Sequence, residues 1–475
     1  MTTEPKRATS RRKPAASLDN APPVYFLSLA VERVLCFKDR QVLDLSDGNR
    51  NPAQWTVILG DNGVGKTTLL RCLAGMEIRN LHGMDSEDEE AFPSLFIYEN
   101  SNIISMWQEL EILKKSTANF SIQVIYGAPL SFYKRKALNN KKVPGFQKAV
   151  VSTELQVRDA RLMFKFPSRY STDTEGSRLI GLICYGYGAT RRMGETSLSE
   201  SIDSENSASL FSEKASLINA EEWLLQTDYA ARSAAGKTRD RLQKQLSQII
   251  EILKRILPDI EDIRIAPADE EISRPRAEFL TPYGWVRLSS LGLGYRTAIA
   301  WMVDLAVRLF RRYPDSKDPL AEPAIVLVDE IDLHLHPKWQ RNIMSFLTER
   351  FPNTQFIVTA HSPLVVQAAK DANIVLLRRE GDRVVIDNDP EIVENWRVDQ
   401  VLTSVFELPT ARPASLEPLL TRRQEILSRA RLSKADEAEL QQLETQIGSL
   451  PTAETPDDIK AMDIIRRAAQ LLENS

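Results

Sequence analysis

Three short apolar runs along the chain are typical of strands that lie inside a parallel sheet. They are Trp55–Leu59, Ala324–Val328 and Phe356–Ala360. Each run is apolar or β-branched at every position instead of at alternate positions, which indicates a strand covered on both of its faces. Helical spacing follows the first run over Thr67–Met76 and the second over Lys338–Phe351. Strands that alternate with helices predict an α/β fold.

The rest of the chain is predicted to add further elements to this α/β core. Phe26–Leu45 has the pattern of two strands in a hairpin, and residues 118–185 alternate as further strands would. The pattern is helical from Asn219 to Leu257 and again from Trp396 to Ser475. The expected architecture is a mixed sheet with flanking helices, an antiparallel N-terminal β subdomain, an inserted α/β arm and a helical C-terminal extension.

A glycine-rich loop joins the first strand to its helix. From Gly60 to Thr67 it has the pattern G-x-x-x-x-G-K-T. Glycines let backbone N–H groups close around phosphate oxygens at the positive end of a helix. Lys66 would reach the β- and γ-phosphates of a nucleotide, and the Thr67 hydroxyl would bind Mg²⁺. The predicted nucleotide-binding residues of the loop are Gly60, Asp61, Asn62, Gly63, Val64, Gly65, Lys66, Thr67 and Thr68.

Two carboxylates end the second strand. Asp329 and Glu330 follow Val328, and the C-terminal ends of strands are where ligands bind in open α/β sheets. Asp329 is predicted to complete the Mg²⁺ site, and Glu330 to polarise the attacking water as a general base. Asp329 lies 263 positions after Lys66. A gap of this length indicates that a large insertion interrupts the nucleotide-binding core.

Two further sites are predicted to contact nucleotide. His361 follows the third strand, beside the acidic strand, where an imidazole can contact a γ-phosphate and report its loss. Ser290 and Gly292 come just before a helix expected over Thr297–Arg312. A serine hydroxyl and the free N–H groups at a helix start can bind an anion.

Four stretches together resemble one branch of the ATP-binding-cassette (ABC) ATPases. The loop at 60–67, LSSLGLGYR at 288–296, LVDEIDLHLHP at 327–337 and TAHSP at 359–363 are similar to those of the RecF/OLD/SMC-like branch. Within it, the chain resembles the stand-alone ATPases of bacterial antiphage systems, especially those of Septu systems, which are also found with some retrons. The signature here is SSLGLG instead of LSGGQ, and its serine and glycine are matched to Ser290 and Gly292.

The resemblance implies a set of functions. The chain would bind ATP with Mg²⁺, hydrolyse it and dimerise head to head, with Ser290 and Gly292 contacting the nucleotide of the opposite subunit. It would form larger homo-oligomers and act as sensor and regulator of an antiphage complex whose nuclease is a separate HNH-type subunit. The glutamine loop of such ATPases corresponds either to Gln108 or to Tyr185–Arg192.

Two other functions stay open. One is a RecF-like ATPase of DNA repair and recombination, which would bind DNA directly. The other is a scaffold that holds ATP with little turnover. A built-in nuclease is not expected: Gly381 and Asp387 are only six positions apart, which suits a hairpin turn better than a Toprim fold. The four histidines of the chain leave none to spare for an HNH centre.

Composition limits the cellular compartment and the classes of partner that are expected. The net charge of −4 gives no global attraction to nucleic acid, so any DNA contact must come from local patches such as Lys134-Arg135-Lys136. Three cysteines, which stand singly, indicate a reducing compartment. No run approaches the roughly 18 apolar residues of a membrane helix. The chain is therefore predicted to be cytoplasmic, without a membrane partner.

The predicted organisation has five parts. They are a disordered basic tail (1–22), an N-terminal ATPase lobe with the glycine loop (23–117), an inserted β and helical arm or lid (118–274), a C-terminal ATPase lobe with the signature, the acidic pair and His361 (275–405) and a helical docking or oligomerisation block (406–475). In the last block, Ser433 and Asp436 are predicted to cap a helix that carries Leu440, Leu443 and Ile447 on one apolar stripe.

Overall fold

The computed structural model describes residues 23–49, 51–80, 91–93, 118–126, 150–158, 161–165, 182–194, 206–257, 259–270, 272–369, 371–390, 397–406, 408, 413–427 and 433–447. The predicted tail at 1–22, Gln108 and the basic turn at 134–142 lie outside the described residues. The chain divides into two compact units, Met1–Trp396 and Arg397–Ser475.

The strands described in the first unit form four sheets. In chain order they are β1 (Val24–Glu32), β2 (Gln41–Asp44), β3 (Trp55–Gly60), β4 (Ile78–Asn80), β5 (Ala91–Pro93), β6 (Ala118–Tyr126), β7 (Val150–Arg158), β8 (Arg161–Lys165), β9 (Cys184–Tyr187), β10 (Asp262–Ala266), β11 (Arg276–Thr281), β12 (Gly284–Arg287), β13 (Ala324–Val328), β14 (Thr354–Thr359), β15 (Asn373–Glu380) and β16 (Arg383–Asp387).

Both units contain helices. Those of the first unit are α1 (Lys66–Gly75), α2 (Ala208–Phe211), α3 (Ala220–Ser233), α4 (Gly236–Ile256), α5 (Leu293–Arg312), α6 (Pro337–Gln340), α7 (Ile343–Arg350) and α8 (Pro363–Ala368). Those of the second unit are α9 (Val398–Ser404), α10 (Glu417–Leu427) and α11 (Lys434–Ile447).

A six-stranded mixed sheet forms the centre of the first unit. Its order is β16-β15-β3-β14-β13-β9, and its neighbours are parallel except for the antiparallel β15–β16 pair. Every residue of β3, β13 and β14 is buried. The all-apolar pattern of these three strands therefore predicted their place correctly, since a central parallel strand meets helices or loops on both faces. The parallel arrangement brings the C-terminal ends of β3, β13 and β14 to one edge.

An antiparallel sheet packs on this centre. Its order is β2-β1-β6-β7-β8, so the predicted hairpin of β1 and β2 is confirmed. One cluster of buried side chains joins β1, α1 and the six-stranded sheet. Gln355 on β14 links the sheets directly, because its amide donates to the Phe26 carbonyl and accepts from the Phe26 N–H, both at 2.9 Å. The α/β class, with a mixed sheet and an antiparallel N-terminal sheet, is confirmed.

The segment predicted as an inserted arm is divided among several sheets. β6 pairs with β1 over most of the length of both strands, from Val24 opposite Tyr126 to Glu32 opposite Asn119. β9 joins the central sheet at the edge of β13. Among the described elements of this segment, the helices α2, α3 and α4 and the strand β10 lie outside these two sheets. Alternation in sequence predicts strands but does not reveal their pairing partners, which are distant in the chain.

Helices cover the central sheet where the sequence placed them, with different limits. α5 begins at Leu293, four residues before the expected Thr297, and packs against α3 and α4. The single helix expected over Lys338–Phe351 is two helices, α6 and α7. His336 caps the first of them, since its Nδ1 accepts from the Lys338 N–H at 3.3 Å.

The second unit consists of helices in the residues that the structure describes. Its predicted cap is confirmed: the Asp436 carboxylate accepts from the Ser433 N–H and hydroxyl at 2.9 and 2.8 Å, while the Asp436 N–H donates to the Ser433 hydroxyl at 3.2 Å. Leu443 is buried, and Arg422 on α10 pairs with Glu439 on α11 at 2.7 Å. Within the described ranges, no helix has the length and apolar character needed to cross a membrane.

Candidate active site

The glycine loop lies between β3 and α1 as predicted. Gly60, Gly63 and Gly65 have φ angles of 141°, 80° and 91°, a region that other residues rarely adopt. A Cβ atom on Gly65 would lie 2.6 Å from the Cys36 Sγ. Glycine at this position therefore serves both the loop conformation and its close packing on the turn after β1.

Lys66 begins α1 and closes the loop from inside. Its ammonium group donates to the Gly60 carbonyl at 2.8 Å and to the Asp61 carbonyl at 2.7 Å. Burial lowers the pKa of Lys66, while the nearby Asp329 and Glu330 carboxylates oppose this shift. The ammonium group is thus held on backbone oxygens at the mouth of the loop, where phosphate oxygens could replace these acceptors.

Asp329 is held by two hydroxyl groups. Its Oδ2 accepts from the Thr67 hydroxyl at 2.7 Å, and its Oδ1 accepts from the Thr359 hydroxyl at 2.6 Å. Asp329 is buried. The end of β13, the start of α1 and the end of β14 therefore meet at one carboxylate.

Glu330 leaves β13 in a left-handed conformation, with a φ of 49°. Its N–H donates to the Thr359 hydroxyl at 2.7 Å, and the next N–H, of Ile331, donates to the Thr359 carbonyl at 2.9 Å. Left-handed backbone is unfavourable for a residue other than glycine and often occurs at functional sites. Here two contacts of one threonine hold it in place.

These elements surround one cleft of about 270 Å³. It is lined by Leu35, Cys36, Asn62, Gly63, Gly65, Lys66, Thr67, Thr68, Asp329, Glu330 and His361. The structure thus brings together nine of the residues predicted from the sequence. Gly60 and Asp61 contribute through their carbonyl contacts with Lys66, whereas Val64 belongs to the buried core.

His361 lies at the end of β14, as predicted. Its N–H donates to both carboxylate oxygens of Asp332, at 3.1 and 3.3 Å. Asp332 is nearly buried and was not identified from the sequence. It fixes the backbone of the histidine that borders the cleft, so His361 is placed by the loop that follows the acidic pair.

Ser290 and Gly292 are exposed and do not line this cleft. Ser290 ends a 3₁₀ turn, and Gly292 directly precedes α5. An added Cβ on Gly292 would meet only Tyr295, at 3.9 Å, whereas one on Gly294 would lie 2.2 Å from the His334 carbonyl oxygen. The fold of this chain therefore requires glycine at 294 and leaves the surface at 290–292 open.

Arg191 is a member of the site that the sequence analysis missed. Its side chain is fully buried, and it donates to the Asp329 carbonyl at 3.1 Å and to the Glu330 carbonyl at 2.7 Å. Burial lowers the pKa of Arg191 to about 10. It lies within Tyr185–Arg192, one of the two stretches considered for the glutamine loop. Its signal in the sequence is only an arginine shortly after a buried strand.

The donor set at the cleft fits Mg²⁺. Hydroxyl and carboxylate oxygens are the ligands that this cation prefers, and Thr67 and Asp329 supply one of each, with 2.7 Å between the two oxygens. A cation held here would take the place of the hydrogen bond that now joins the two side chains. Thr67 and Asp329 are the residues that would hold it.

Comparison with known proteins shows relatives that are named as retron ATPases and as Septu proteins. The chain is 35% identical over 178 residues to "Retron Ec83 probable ATPase" of Escherichia coli, a match that covers 36% of this chain and 32% of that protein. It is 24% identical over 367 residues to "Septu protein PtuA" of Bacillus mycoides (strain KBAB4), covering 77% of this chain and 42% of that protein. The chain thus spans less than half of the length of these relatives.

The chain also has a likeness to solved heads of SMC proteins. One is the Smc head domain with a coiled coil and joint derived from Pyrococcus yayanosii, with a TM-score of 0.43 and 11% identity. The superposition covers 81% of this chain and 99% of that one.

A family model also matches the chain directly. It is described as "AAA domain, putative AbiEii toxin, Type IV TA system", and it matches residues 55–367. This range begins at β3 and ends within α8, so it contains the glycine loop, the acidic pair and His361. The chain belongs to this family of AAA domains.

Proposed function

We propose that this chain binds ATP together with Mg²⁺ and hydrolyses the nucleotide. The observation that carries the proposal is the meeting of Lys66, Thr67, Asp329 and Glu330 at one cleft, with the Thr67 hydroxyl 2.7 Å from Asp329. Two parts of the chain that are remote in sequence supply phosphate-binding and cation-binding groups to the same space. The names of the relatives, "probable ATPase" among them, agree with this chemistry.

Each residue has a part in the proposed reaction. The loop N–H groups and Lys66 bind the phosphates, and Thr67 and Asp329 hold the cation. Bound Mg²⁺ would neutralise charge on the β- and γ-phosphates. Glu330 orients and polarises the attacking water as a general base, a role for which its place at the cleft beside Lys66 is suited. His361 contacts the γ-phosphate from the neighbouring strand end and reports its loss.

The site is proposed to be completed by a second copy of the chain. Ser290 and Gly292 are exposed, and nothing in the described part of the protein approaches Gly292 closely enough to require a glycine. Both would contact the nucleotide of the opposite subunit, so that two heads close around ATP. Larger homo-oligomers would be built through the helical block at 406–475.

The proposed biological role is that of sensor and regulator in a bacterial antiphage complex. Relatives named "Septu protein PtuA" and "Retron Ec83 probable ATPase" support this assignment. The effector would be a separate HNH-type nuclease, because the sequence offers no nuclease centre of its own. DNA is proposed as an additional ligand, and the proposed location is the cytoplasm.

Steady-state hydrolysis tests the proposed chemistry. The purified chain should release phosphate from ATP with Mg²⁺, and EDTA should abolish the activity. Lys66→Ala should lose ATP binding, while Lys338→Ala, at an exposed position on α6, should keep both binding and turnover. An ATP-binding chain without turnover under all conditions would favour the scaffold alternative, and no ATP binding would overturn the proposal.

Purification of the native complex tests the proposed role. The chain should be recovered with a nuclease subunit, identified by mass spectrometry, and with bound nucleotide. Recovery without a nuclease, combined with DNA binding that weakens steeply with salt, would instead favour the RecF-like alternative. Recovery with a nuclease would therefore support the antiphage role, and DNA binding without a nuclease would contradict it.

A further inference from the structure

The environment and backbone conformation of Arg191 lower the stability of the folded chain. The side chain is only 2% exposed, and its Nε has no hydrogen-bond partner among the described residues. Its own backbone has a φ of 35°, outside the ordinary regions for a residue with a side chain. A buried charge with an unpaired donor and a strained backbone costs free energy, and such costs concentrate at functional sites.

The contacts of Arg191 are directed at the backbone of the acidic pair. One terminal nitrogen donates to the Asp329 carbonyl at 3.1 Å, and the other donates to the Glu330 carbonyl at 2.7 Å. The planar guanidinium group can reach two successive carbonyl oxygens at once, which a lysine ammonium group cannot do with the same geometry.

The Glu330 residue is thereby held on both sides. Its N–H donates to the Thr359 hydroxyl at 2.7 Å, and its carbonyl accepts from Arg191. Between these two anchors the backbone has its left-handed φ of 49°. Without the Arg191 contact, the chain could relax toward ordinary backbone angles and move the Glu330 side chain within the cleft.

The segment after β9, which carries Arg191, is itself fixed beside β13. The Asp329 N–H donates to the Tyr187 carbonyl at 2.8 Å, in continuation of the parallel pairing of β9 with β13. A Cβ on Gly188 would lie 2.1 Å from the Ser209 carbonyl oxygen, so the segment after β9 packs closely on α2. The guanidinium group is therefore presented from a rigid element.

We infer that Arg191 is a positioning residue for hydrolysis, which acts by holding the Asp329–Glu330 backbone so that the Glu330 carboxylate faces the water near the γ-phosphate. The inference rests on the proposed role of Glu330 as general base. It assigns to Arg191 an effect on turnover and not on nucleotide binding, since the side chain does not line the cleft.

A double-mutant cycle tests this role. Arg191→Met should lower kcat by about tenfold or more, with the Kd for ATP changed by less than about threefold. In a Glu330→Gln background the same substitution should lower kcat by less than about twofold, because the group it positions is already gone. Arg239→Met, at an exposed arginine on α4, is the matched control and should leave kcat unchanged in both backgrounds.

The outcomes separate this inference from the proposed function. Equal losses from Arg191→Met in the two backgrounds, or a loss of ATP affinity that matches the loss of kcat, would overturn the role of Arg191 alone. Wild-type turnover in Glu330→Gln would instead overturn the role of Glu330. If Arg191→Met does not fold, Arg191→Lys keeps the charge and replaces it in the cycle. Loss of fold in both variants would assign Arg191 to core stability and contradict the inference.

Discussion

The Thr67 hydroxyl donates a hydrogen bond of 2.7 Å to the Asp329 carboxylate, although 262 positions separate the two residues. Thr67 lies in the first turn of α1, after the glycine loop, and Asp329 directly follows strand β13. β13 reaches the loop through β14, which lies between β3 and β13 in the sheet. Strand order therefore brings together the two halves of a site that the chain encodes far apart.

Replacement of the Glu330 carboxylate should separate binding from hydrolysis. Glu330→Gln keeps the size of the side chain and removes its basicity, so ATP affinity should persist while turnover falls by about 10²-fold or more. Equilibrium ATP binding and steady-state phosphate release measure the two quantities. Lys66→Ala should show the opposite pattern, with binding lost. Turnover at the wild-type rate in Glu330→Gln would remove Glu330 from the mechanism.

A large, positively charged side chain in place of Ser290 should block ATP-dependent dimerisation and leave the nucleotide cleft of each chain intact. Ser290→Arg should therefore bind ATP, as judged by calorimetry, but show no ATP-dependent increase in mass in light scattering. Gly294→Ala is no substitute, because its Cβ would clash with His334 within the same chain.

A mixing experiment extends this prediction to the composite site. A heterodimer of Ser290→Arg with Lys66→Ala would contain one intact site, formed by the cleft of the first chain and the signature of the second. Part of the activity should return on mixing, although each variant alone is inactive. No recovery in samples where heterodimers demonstrably form would contradict contact across the dimer.

Cys36 offers a direct probe of nucleotide occupancy. It borders the cleft and is only partly buried, whereas Cys72 and Cys184 are buried. Burial raises the pKa of the Cys36 thiol, so alkylation should be slow near pH 7 and faster as the pH rises. At an ATP concentration 100 times the Kd, the rate should fall about 100-fold if bound nucleotide covers the thiol.

The controls for this experiment follow from the same geometry. Cys36→Ser should abolish the ATP-sensitive labelling, measured by mass spectrometry, and Lys66→Ala should label at a rate that ATP does not change. Equal labelling rates with and without ATP in a chain that binds ATP would place the nucleotide away from Cys36.

Removal of one partner of a buried ion pair should strongly destabilise the first unit. Asp304 on α5 is fully buried and accepts from Arg308 at 2.6 Å, from the Tyr187 hydroxyl at 3.0 Å and from the Ile218 N–H at 3.1 Å. Asp304→Ala leaves these donors buried without the carboxylate and should lower the free energy of unfolding by about 3–5 kcal/mol. Urea denaturation followed by tryptophan fluorescence measures the change.

Asp240→Ala, at an exposed aspartate on α4, is the matched control for the Asp304 variant and should change the stability by less than about 0.5 kcal/mol. A similarly small effect of Asp304→Ala would show that water or a shifted side chain replaces the lost contacts.

Removal of the C-terminal helices should separate hydrolysis from assembly. Truncation after Pro409 removes α10 and α11 and leaves every residue that lines the cleft, so ATPase activity should remain. The truncated chain should no longer form the higher assembly, measured by light scattering with and without its partner. An assembly of unchanged size would show that these helices belong to the fold of the single chain.

The sequence by itself determined the local parts of this protein. The strand predicted over Ala324–Val328 has the same limits in the structure, and the glycine loop has the backbone that its residues require. Such features are set by neighbouring residues, since apolar runs predict burial and glycines allow positive φ angles. The chemistry of Lys66 and Thr67 could therefore be predicted from a single stretch.

The tertiary structure alone decided which distant groups support that chemistry. Nothing in the sequence indicates that Thr359 binds both residues of the acidic pair, or that Arg191 donates to their carbonyls. The sequence also does not reveal that β6 pairs with β1. These contacts join segments that meet only when the sheets pair and the core closes. Their specificity comes from register and burial, which no local pattern of residue types encodes.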